Sequence, residues 1–285
     1  MKIHSSAVVS PLAQIADDVQ IGPLCVIEPE VTIDEGCILE SSVRIKNGTT
    51  LGPQNHVFEG VVIGGPPQHA HMPERPGRIV IGAGNVMREF VTVHRAMEEE
   101  DVTVIGDNNL LMTGVHIAHD CRVGNNAIFT SNTLLAGHVT VEDRAYMGGA
   151  SAVHQFCRIG TLAMVGGHAR VNKDVPPFVT IDGGSTLVVG LNQIGLRRAG
   201  YSTEDIEQLK AAYRLIYRGD LLWNDILKEL QREFAEGPAA RYYQFLSTTT
   251  RGILPERRLP PGATLKLRHD AEHPDAALRF RARAG

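Results

Sequence analysis

A bulky apolar residue recurs at every sixth position through the middle of the chain. All twelve residues at this spacing from Ile105 to Val171 are apolar. Six residues are not a whole number of 3.6-residue helical turns, and no single strand is that long. A fixed period of six, with glycine often following the aliphatic residue, is typical of the hexapeptide repeats of a parallel β-helix. Because one coil cannot bury its own apolar face, the array is expected to fold as one unit.

The same period begins at Ile3 and is interrupted twice. The first interruption, residues 64–78, contains four prolines and three glycines, and the second, residues 96–103, is acidic. Such sequences cannot continue a strand ladder, so we predict two loops that leave the coils and rejoin them. Long loops on a rigid scaffold often carry ligand contacts. The repeat pattern ends near residues 174–177.

Helical patterns follow the repeats. Ser202 is followed by acidic residues and then by apolar residues at helical spacing, which is typical of a capped amphipathic helix. Asp220 is the predicted cap of a second helix that extends to Phe234, and residues 239–246 form a third, shorter helix. We predict that these helices make a small bundle.

The predicted fold class is therefore mainly β, with three segments. Residues 1–190 form the β-helix with its two loops, residues 191–254 form a C-terminal α-helical domain, and residues 255–285 form a tail. The tail contains seven Lys or Arg against four Asp or Glu, and residues 264–268 within it are predicted to form one short strand.

Composition and charge exclude several classes of function. The formal net charge of −4 gives no basic surface for nucleic acid. No window approaches eighteen consecutive apolar residues, so we predict no membrane span. Residues 1–4 lead directly into the repeats without an apolar signal segment, which predicts a cytoplasmic protein.

The four cysteines share one position in the repeat. Cys25, Cys37, Cys121 and Cys157 each lie four residues after a period-six aliphatic, where the other coils carry small residues such as alanine and valine. No C-x-x-C spacing is present. We therefore predict that the cysteines are small core residues without a metal or redox role.

Three histidines recur at nearly the length of one coil. If a coil is three hexapeptides, His119, His138 and His154 lie at similar positions on successive coils, about 4.8 Å apart per coil. His116 lies three residues before His119 on the same coil. We predict a ladder of imidazoles along one edge of the solenoid.

This ladder suggests proton-transfer chemistry. A neutral imidazole is suited to act as a general base near neutral pH, and Asp120, next to His119, is a candidate orienting carboxylate. Gly137 precedes His138, and its bare backbone would let a substrate approach an N–H, as oxyanion stabilisation requires. No G-x-S-x-G motif is present, and the cysteines are assigned to the core. We therefore predict direct proton abstraction from an acceptor, without a covalent enzyme intermediate.

Several motifs give the chain a family resemblance. They are residues 108–112 (NNLLM), 116–121 (HIAHDC), 135–139 (LAGHV), 152–157 (AVHQFC), 174–177 (DVPP), 190–198 (GLNQIGLRR), 213–218 (YRLIYR) and 247–253 (STTTRGI). Over about residues 1–254 the chain resembles the UDP-N-acetylglucosamine O-acyltransferases that begin lipid A synthesis. The resemblance implies a left-handed β-helix, although parallel crossovers are usually right-handed. It also implies a homotrimer with sites between neighbouring subunits. The implied donor is acyl carrier protein, which carries the acyl chain as a phosphopantetheine thioester. The resemblance implies no cofactor or metal beyond this donor.

The resemblance implies roles for individual residues. His119 would take the proton from the sugar 3-hydroxyl, Asp120 would polarise His119, and the Gly137 N–H would bind the thioester oxyanion. Further positions match contacts to the nucleotide sugar, the acyl-pantetheine arm or the acyl chain; they are His116, His138, His154, Gln155, Gly167, Asn192 and Arg198. Gly167 lies where the family measures acyl-chain length, and a glycine there would leave room for a long chain.

The chain departs from the family pattern in the first loop. The family usually carries Gln-Asp-x-Lys there and uses it to bind substrate; here Gln68 is kept, but His69 and His71 stand at the Asp and Lys positions. Imidazoles do not replace a carboxylate and an ammonium at neutral pH. Ala96 also replaces a common glycine, and Ile194 replaces an acid that some members use to hold the nucleotide. A 3-amino sugar nucleotide, receiving an N-acyl group, therefore stays open as the acceptor.

Two other functional classes fit part of the pattern. A metal-dependent hydratase on the same solenoid would bind zinc with three histidines from adjacent subunits. The many histidines favour it, but such enzymes lack a long C-terminal helical domain. A non-catalytic relative that binds acyl carrier protein or nucleotide is supported only by the altered loop.

Overall fold

A computed structural model describes residues 2–257. The chain passes in turn through three parallel sheets, so that a strand pairs with its equivalent in the next coil. Leu39 pairs with Val57 and Phe129 pairs with Met147, which gives coils of eighteen residues. The predicted parallel β-helix is confirmed.

The three sheets are built from short strands of two to four residues. The first sheet contains Lys2–Ile3, Gln20–Ile21, Ile38–Leu39, His56–Val57, Val86–Met87, Leu110–Leu111, Ile128–Phe129, Tyr146–Met147, Met164–Val165, Val179–Ile181 and Val188–Leu191. The second contains Val8–Val9, Val26–Ile27, Arg44–Ile45, Val62–Gly65, Thr92–His94, His116–Ile117, Leu134–Leu135, Ala152–Val153 and Arg170–Val171. The third contains Gln14–Ile15, Thr32–Ile33, Thr49–Leu51, Arg78–Ile81, Val102–Ile105, Arg122–Val123, Thr140–Val141 and Arg158–Ile159. The final strand, Val188–Leu191, pairs antiparallel and ends the solenoid.

The period-six residues fill the interior of the coils. All twelve from Ile105 to Val171 are at most 4% exposed, whereas Ile3, in the open first coil, is 43% exposed. The four cysteines are buried and free. Burial raises the pKa of Cys121 to about 12 and that of Cys157 to about 11, so both thiols stay protonated at neutral pH. The predicted packing role is confirmed.

The chain turns between sheets through a residue with left-handed backbone conformation. Between the second and third sheets of successive coils this residue is Asp120, His138 and Phe156, with φ of 59°, 60° and 64°. Their backbones stack in register, and the His138 N–H donates to the His119 carbonyl at 3.0 Å. Side chains at the same turn position therefore lie in rows along a corner of the solenoid.

Buried asparagines tie the coils together at another corner, across both loops. The Asn55 Oδ1 accepts from the Asn85 N–H, and the Asn85 Oδ1 accepts from the Asn109 N–H, each at 2.9 Å. The Asn109 Oδ1 accepts from the Ala127 N–H at 2.8 Å. This ladder keeps the strand register fixed while the chain leaves the coils and returns.

Both predicted loops leave the solenoid near one edge. Residues 66–77 connect the strands Val62–Gly65 and Arg78–Ile81, and residues 95–101 connect Thr92–His94 and Val102–Ile105. The Gly77 N–H donates to the Ala96 carbonyl at 2.9 Å, so the two loops contact each other.

Four helices follow the solenoid: α1 (Gln193–Arg198), α2 (Thr203–Arg218), α3 (Trp223–Glu233) and α4 (Ala240–Leu246). Ser202 caps α2 in a reciprocal capping box with Asp205, as its sequence predicts. The prediction that Asp220 caps the second helix is wrong, because the residue before α3 is Leu222, which has no capping side chain. An N-cap side chain reaches the N–H groups two or three residues on. For Asp220 these N–H groups belong to Leu222 and Trp223, and Trp223 is only the first residue of α3.

The helices are anchored to the last coils of the solenoid. The Arg158 guanidinium lies 4.0 Å from the Phe245 ring centroid and donates to the Phe245 carbonyl at 3.2 Å. The Thr249 hydroxyl donates to the buried Asp174 carboxylate at 2.7 Å. No helix within residues 2–257 is both long enough and apolar enough to cross a membrane. The strand predicted at residues 264–268 lies outside the described residues.

Candidate active site

His119 and Asp120 form a hydrogen-bonded pair at the corner between the second and third sheets. The His119 Nδ1–H donates to Asp120 Oδ2 at 2.7 Å, and the two side chains are only 11% and 8% exposed. Because a carboxylate only accepts hydrogen bonds, this contact fixes the tautomer of the neutral imidazole. The Nε2 atom is left with a free lone pair, as a general base requires.

Asp120 is held from three further directions. Its carboxylate oxygens accept from the Met97 N–H at 3.2 and 3.3 Å, and its backbone N–H donates to the Thr103 hydroxyl at 2.8 Å. The His138 Nε2 lies 3.6 Å from Asp120 Oδ2. At the equivalent turn positions the His138 and Phe156 N–H groups donate to backbone carbonyls of the preceding coil. The second loop interrupts the coil before Asp120, and the Thr103 hydroxyl takes the place of that carbonyl. Met97 and Thr103 belong to no motif in the sequence, so neither was predicted as a site residue.

Gly137 lies directly against the His119 ring in the next coil. A Cβ atom added at Gly137 would come within 2.4 Å of His119 Cε1 and 2.6 Å of Nε2, so only glycine fits here. The neighbouring Ala136 and His138 N–H groups donate to backbone carbonyls. The Gly137 N–H has no acceptor within residues 2–257 and is free to bind a ligand oxygen.

The three histidines of the predicted ladder lie at one corner on successive coils, but only His119 and His138 have their rings in contact. The His138 ring lies edge-on to His119, with centroids 5.2 Å apart, but its other neighbour is Phe156, stacked at 4.6 Å. Phe156 is eighteen residues after His138 and has the same turn position. His154 precedes Phe156 by two residues in the same turn. His154 lies at the same corner outside the stack, with Nδ1 3.2 Å from the Gln155 carbonyl oxygen.

His116 belongs to a second polar group beside the dyad. Its Nδ1 lies 2.9 Å from the Thr92 hydroxyl, and its ring centroid lies 5.0 Å from that of His94. The His94 Nδ1–H donates to the Pro66 carbonyl at 2.7 Å and so fixes the start of the first loop. Burial, with a smaller effect from His94, lowers the pKa of His116 to about 4, and burial also lowers the pKa of His94. Both rings are therefore neutral at pH 7.

The first loop forms one wall of a cleft of about 360 Å³ over the dyad. His69 lies in this wall with its ring centroid 6.1 Å from that of His119. His71 does not line the cleft, but its N–H donates to His69 Nδ1 at 3.2 Å and so orients that ring. Of the predicted site residues, the cleft brings together Gln68, His69, His116, His119, Gly137 and Gln155.

Asn192 and Arg198 lie elsewhere in the single chain. They line a groove of about 700 Å³ over the first sheet, together with Ile194. Asn192 is also the N-cap of α1, where its Oδ1 accepts from the Gly195 N–H at 2.9 Å. Gly167 lies at the corner between the first and second sheets, against the Gly149 backbone. One chain therefore presents the predicted site residues on separate faces.

Most of the chain is similar to known proteins. Residues 174–254 match the model of the second domain of UDP N-acetylglucosamine O-acyltransferase, and residues 12–47 and 103–137 match the bacterial transferase hexapeptide model. The acyl-[acyl-carrier-protein]–UDP-N-acetylglucosamine O-acyltransferase of Burkholderia orbicola is 48% identical over 260 residues, covering 89% of this chain and 99% of the relative. The chain belongs to the UDP-N-acetylglucosamine O-acyltransferase family.

Solved structures support the same assignment. The UDP-N-acetylglucosamine O-acyltransferase of Moraxella catarrhalis is 37% identical with a TM-score of 0.86, covering 89% of this chain and 100% of that one. The UDP-N-acetylglucosamine acyltransferase of Francisella novicida is 34% identical with a TM-score of 0.86, covering 93% and 99%. The solenoid is a left-handed β-helix followed by the helical domain of this acyltransferase family.

Proposed function

We propose that the protein transfers an acyl chain from acyl carrier protein to the 3-hydroxyl of UDP-N-acetylglucosamine, the first step of lipid A synthesis. The observation that carries this proposal is the contact between His119 and Gly137. It places a free imidazole nitrogen and a free backbone N–H at one point of the cleft. The name of the Burkholderia orbicola relative supports the donor and the acceptor.

The proposed reaction is a direct attack on the thioester. His119 Nε2 takes the proton from the sugar hydroxyl as its oxygen bonds to the thioester carbonyl carbon. The Gly137 N–H donates to the oxyanion of the tetrahedral intermediate, and Asp120 stabilises the imidazolium. When the intermediate collapses, the carbon–sulfur bond breaks, and the phosphopantetheine thiolate takes the proton from His119. The products are an ester and a thiol, and the proposed reaction uses no metal or additional cofactor.

The cleft residues fit the role of binding the sugar nucleotide and the donor arm. Gln68, His69 and His116 lie on the loop side of the dyad, and Gln155 lies one coil beyond Gly137 in the same row. His138 and His154 lie at the same corner, where they can contact the pantetheine arm. We assign acyl-chain contacts to Gly167.

We also propose a homotrimer, in which the groove of Asn192 and Arg198 on one subunit faces the cleft of its neighbour. This arrangement is supported by the separation of these residues from the dyad within one chain. Arg198 would then supply a cation for a phosphate of either substrate. Light scattering during gel filtration tests the assembly; a monomeric active enzyme would contradict it. The cytoplasmic location stays a prediction from the sequence.

A second acceptor is a 3-amino sugar nucleotide, which would receive an N-acyl group by the same mechanism. The observation that favours it is His69 in the cleft wall, at a position where the family resemblance implies a carboxylate.

A panel of acyl-carrier-protein donors of different chain length, tested against UDP-N-acetylglucosamine and its 3-amino analogue, decides between these functions. We expect the O-acylated product, identified by mass spectrometry. A preference for the amine would establish the second acceptor. No product from any pair, with both ligands still bound, would indicate a non-catalytic binding protein.

A further inference from the structure

The catalytic corner also has the composition of a metal site. Ligand atoms of His119, Asp120 and His138 all lie within 4.8 Å of one another. This is the one group of three or more His, Cys, Asp or Glu side chains with such spacing in the described part of the chain. Two imidazoles and a carboxylate are a common ligand set for zinc.

Two of the ligand–ligand distances can be compared with those around a tetrahedral ion. Zinc bonds of about 2.0–2.2 Å place neighbouring ligand atoms roughly 3.3 Å apart. Asp120 Oδ2 lies 3.6 Å from His138 Nε2, which fits, and 2.7 Å from His119 Nδ1, which must open by about half an ångström to admit an ion.

The backbone holds these ligands in advance. Asp120 and His138 occupy the same left-handed turn position in adjacent coils, with φ of 59° and 60°. The carboxylate is fixed by the Met97 N–H, and the His138 ring is fixed by stacking on Phe156. Ligands held by hydrogen bonds and packing bind metals more tightly than mobile ones. The His138 side chain is 40% exposed, so an ion can enter from solvent.

We propose that His119 Nδ1, Asp120 Oδ2 and His138 Nε2 bind one Zn²⁺ ion per chain, and that this ion inhibits acyl transfer. The ion takes the place of the proton on His119 Nδ1. The neutral ring keeps one proton, which moves through solvent to Nε2. His119 Nε2 then has no lone pair with which to accept the proton of the acceptor hydroxyl, and water completes the coordination.

This site differs from that of a zinc hydratase. Its three ligands come from one chain and one corner, whereas the hydratase alternative takes its histidines from adjacent subunits. The ion is an inhibitor that competes with the proton of the dyad. The inference goes beyond the proposed function, and metal binding can be measured without any turnover.

Binding is tested on the full-length protein, freed of metal with EDTA and titrated with Co²⁺ and then Zn²⁺. We expect visible absorption bands of four- or five-coordinate cobalt, one ion per chain by equilibrium dialysis, and displacement by zinc. His138→Gln and Asp120→Asn are each expected to weaken binding at least 10-fold. His154→Gln, at the same corner, and His168→Gln, at another corner, are the matched controls and should bind as tightly as the wild type. Circular dichroism checks the fold of each variant.

Three results would overturn the proposal: no binding at millimolar Co²⁺, equal loss of binding in the control variants, or unchanged binding in a folded His138→Gln variant. If the enzyme is active, Zn²⁺ should also inhibit it, and EDTA should restore the rate. Zinc that binds at this corner without lowering the rate would contradict the inhibitory role.

Discussion

The imidazole of His119 lies against the α-carbon of Gly137, with no room for a side chain between them. A Cβ at position 137 would meet His119 Cε1 at 2.4 Å. The base and the proposed oxyanion donor are therefore adjacent because one residue lacks a side chain. The eighteen-residue coil places them in neighbouring rungs of one row.

Gly137→Ala should displace the His119 ring and so reduce kcat about 100-fold or more, the usual effect of disturbing an oxyanion or base contact. Gly149→Ala is the matched control, since Gly149 has the same turn position in another corner and a Cβ there would meet nothing closer than 3.5 Å. We expect the control to lose less than 3-fold in kcat. Equal losses in the two variants would show that the turn, rather than the contact with His119, is sensitive.

Thr103 is predicted to be a positioning residue that acts through Asp120. Its hydroxyl is fully buried and accepts from the Asp120 N–H at 2.8 Å. Thr103→Val leaves that buried N–H unpaired, at a cost of about 1–3 kcal/mol, and lets the carboxylate move. We expect kcat to fall about 10-fold with an acceptor KM within 2-fold of the wild type. Thr103→Ser should restore most of kcat, and a serine variant as slow as the valine variant would exclude this role.

The stability of the protein should depend on pH through His116. Because burial lowers its folded pKa to about 4 from an ordinary value of 6.5, the unfolded chain binds more protons between these two pH values. The free energy of unfolding therefore rises with pH through this window. The contribution of His116 to that free energy is lost as the pH falls from 6.5 towards 4. The urea midpoint should drop between pH 7 and pH 5, and it should drop less in His116→Gln. The exposed His168→Gln should behave as the wild type does; an undiminished drop in His116→Gln would assign the effect to other groups.

The first loop is predicted to control acceptor binding more than chemistry. His69 lines the cleft with its ring centroid 6.1 Å from that of His119, and no hydrogen bond joins the two rings in the part of the chain that the structure describes. The double substitution His69→Asp and His71→Lys, which introduces the residues that the family resemblance implies, should change the acceptor KM several-fold and leave kcat within about 2-fold. Steady-state kinetics at saturating donor measure both values. A larger change in kcat would place the loop in the chemical step.

The sequence predicted what depends on local pattern. A six-residue period fixes which residues of each coil are buried, and it also gives the coil length that brings Gly137 against His119. Ser202 was predictable as a cap because its acidic partner lies three residues away. Both loops were predictable because their proline, glycine and acidic residues interrupt the six-residue period.

The sequence did not predict which side chains at a corner contact each other, or which residues far apart in the chain are hydrogen-bonded. His154 lies at the predicted corner, but it precedes the turn position of Phe156 by two residues, so Phe156 and not His154 stacks on His138. The bonds from Thr103 and Met97 to Asp120 exist only because a loop replaces part of one coil, which no periodicity records. The contact between His94 and Pro66 likewise joins residues that are 28 positions apart.

The rate of the chemical step in His119→Ala tests the central claim most directly. Single-turnover kinetics with bound acyl donor and sugar nucleotide separate this step from binding and product release. We predict a loss of about 10³-fold, within the range for removal of a general base, with acceptor affinity and circular dichroism close to the wild type. A folded variant that keeps a rate within 10-fold of the wild type would contradict the assignment of His119 as the base.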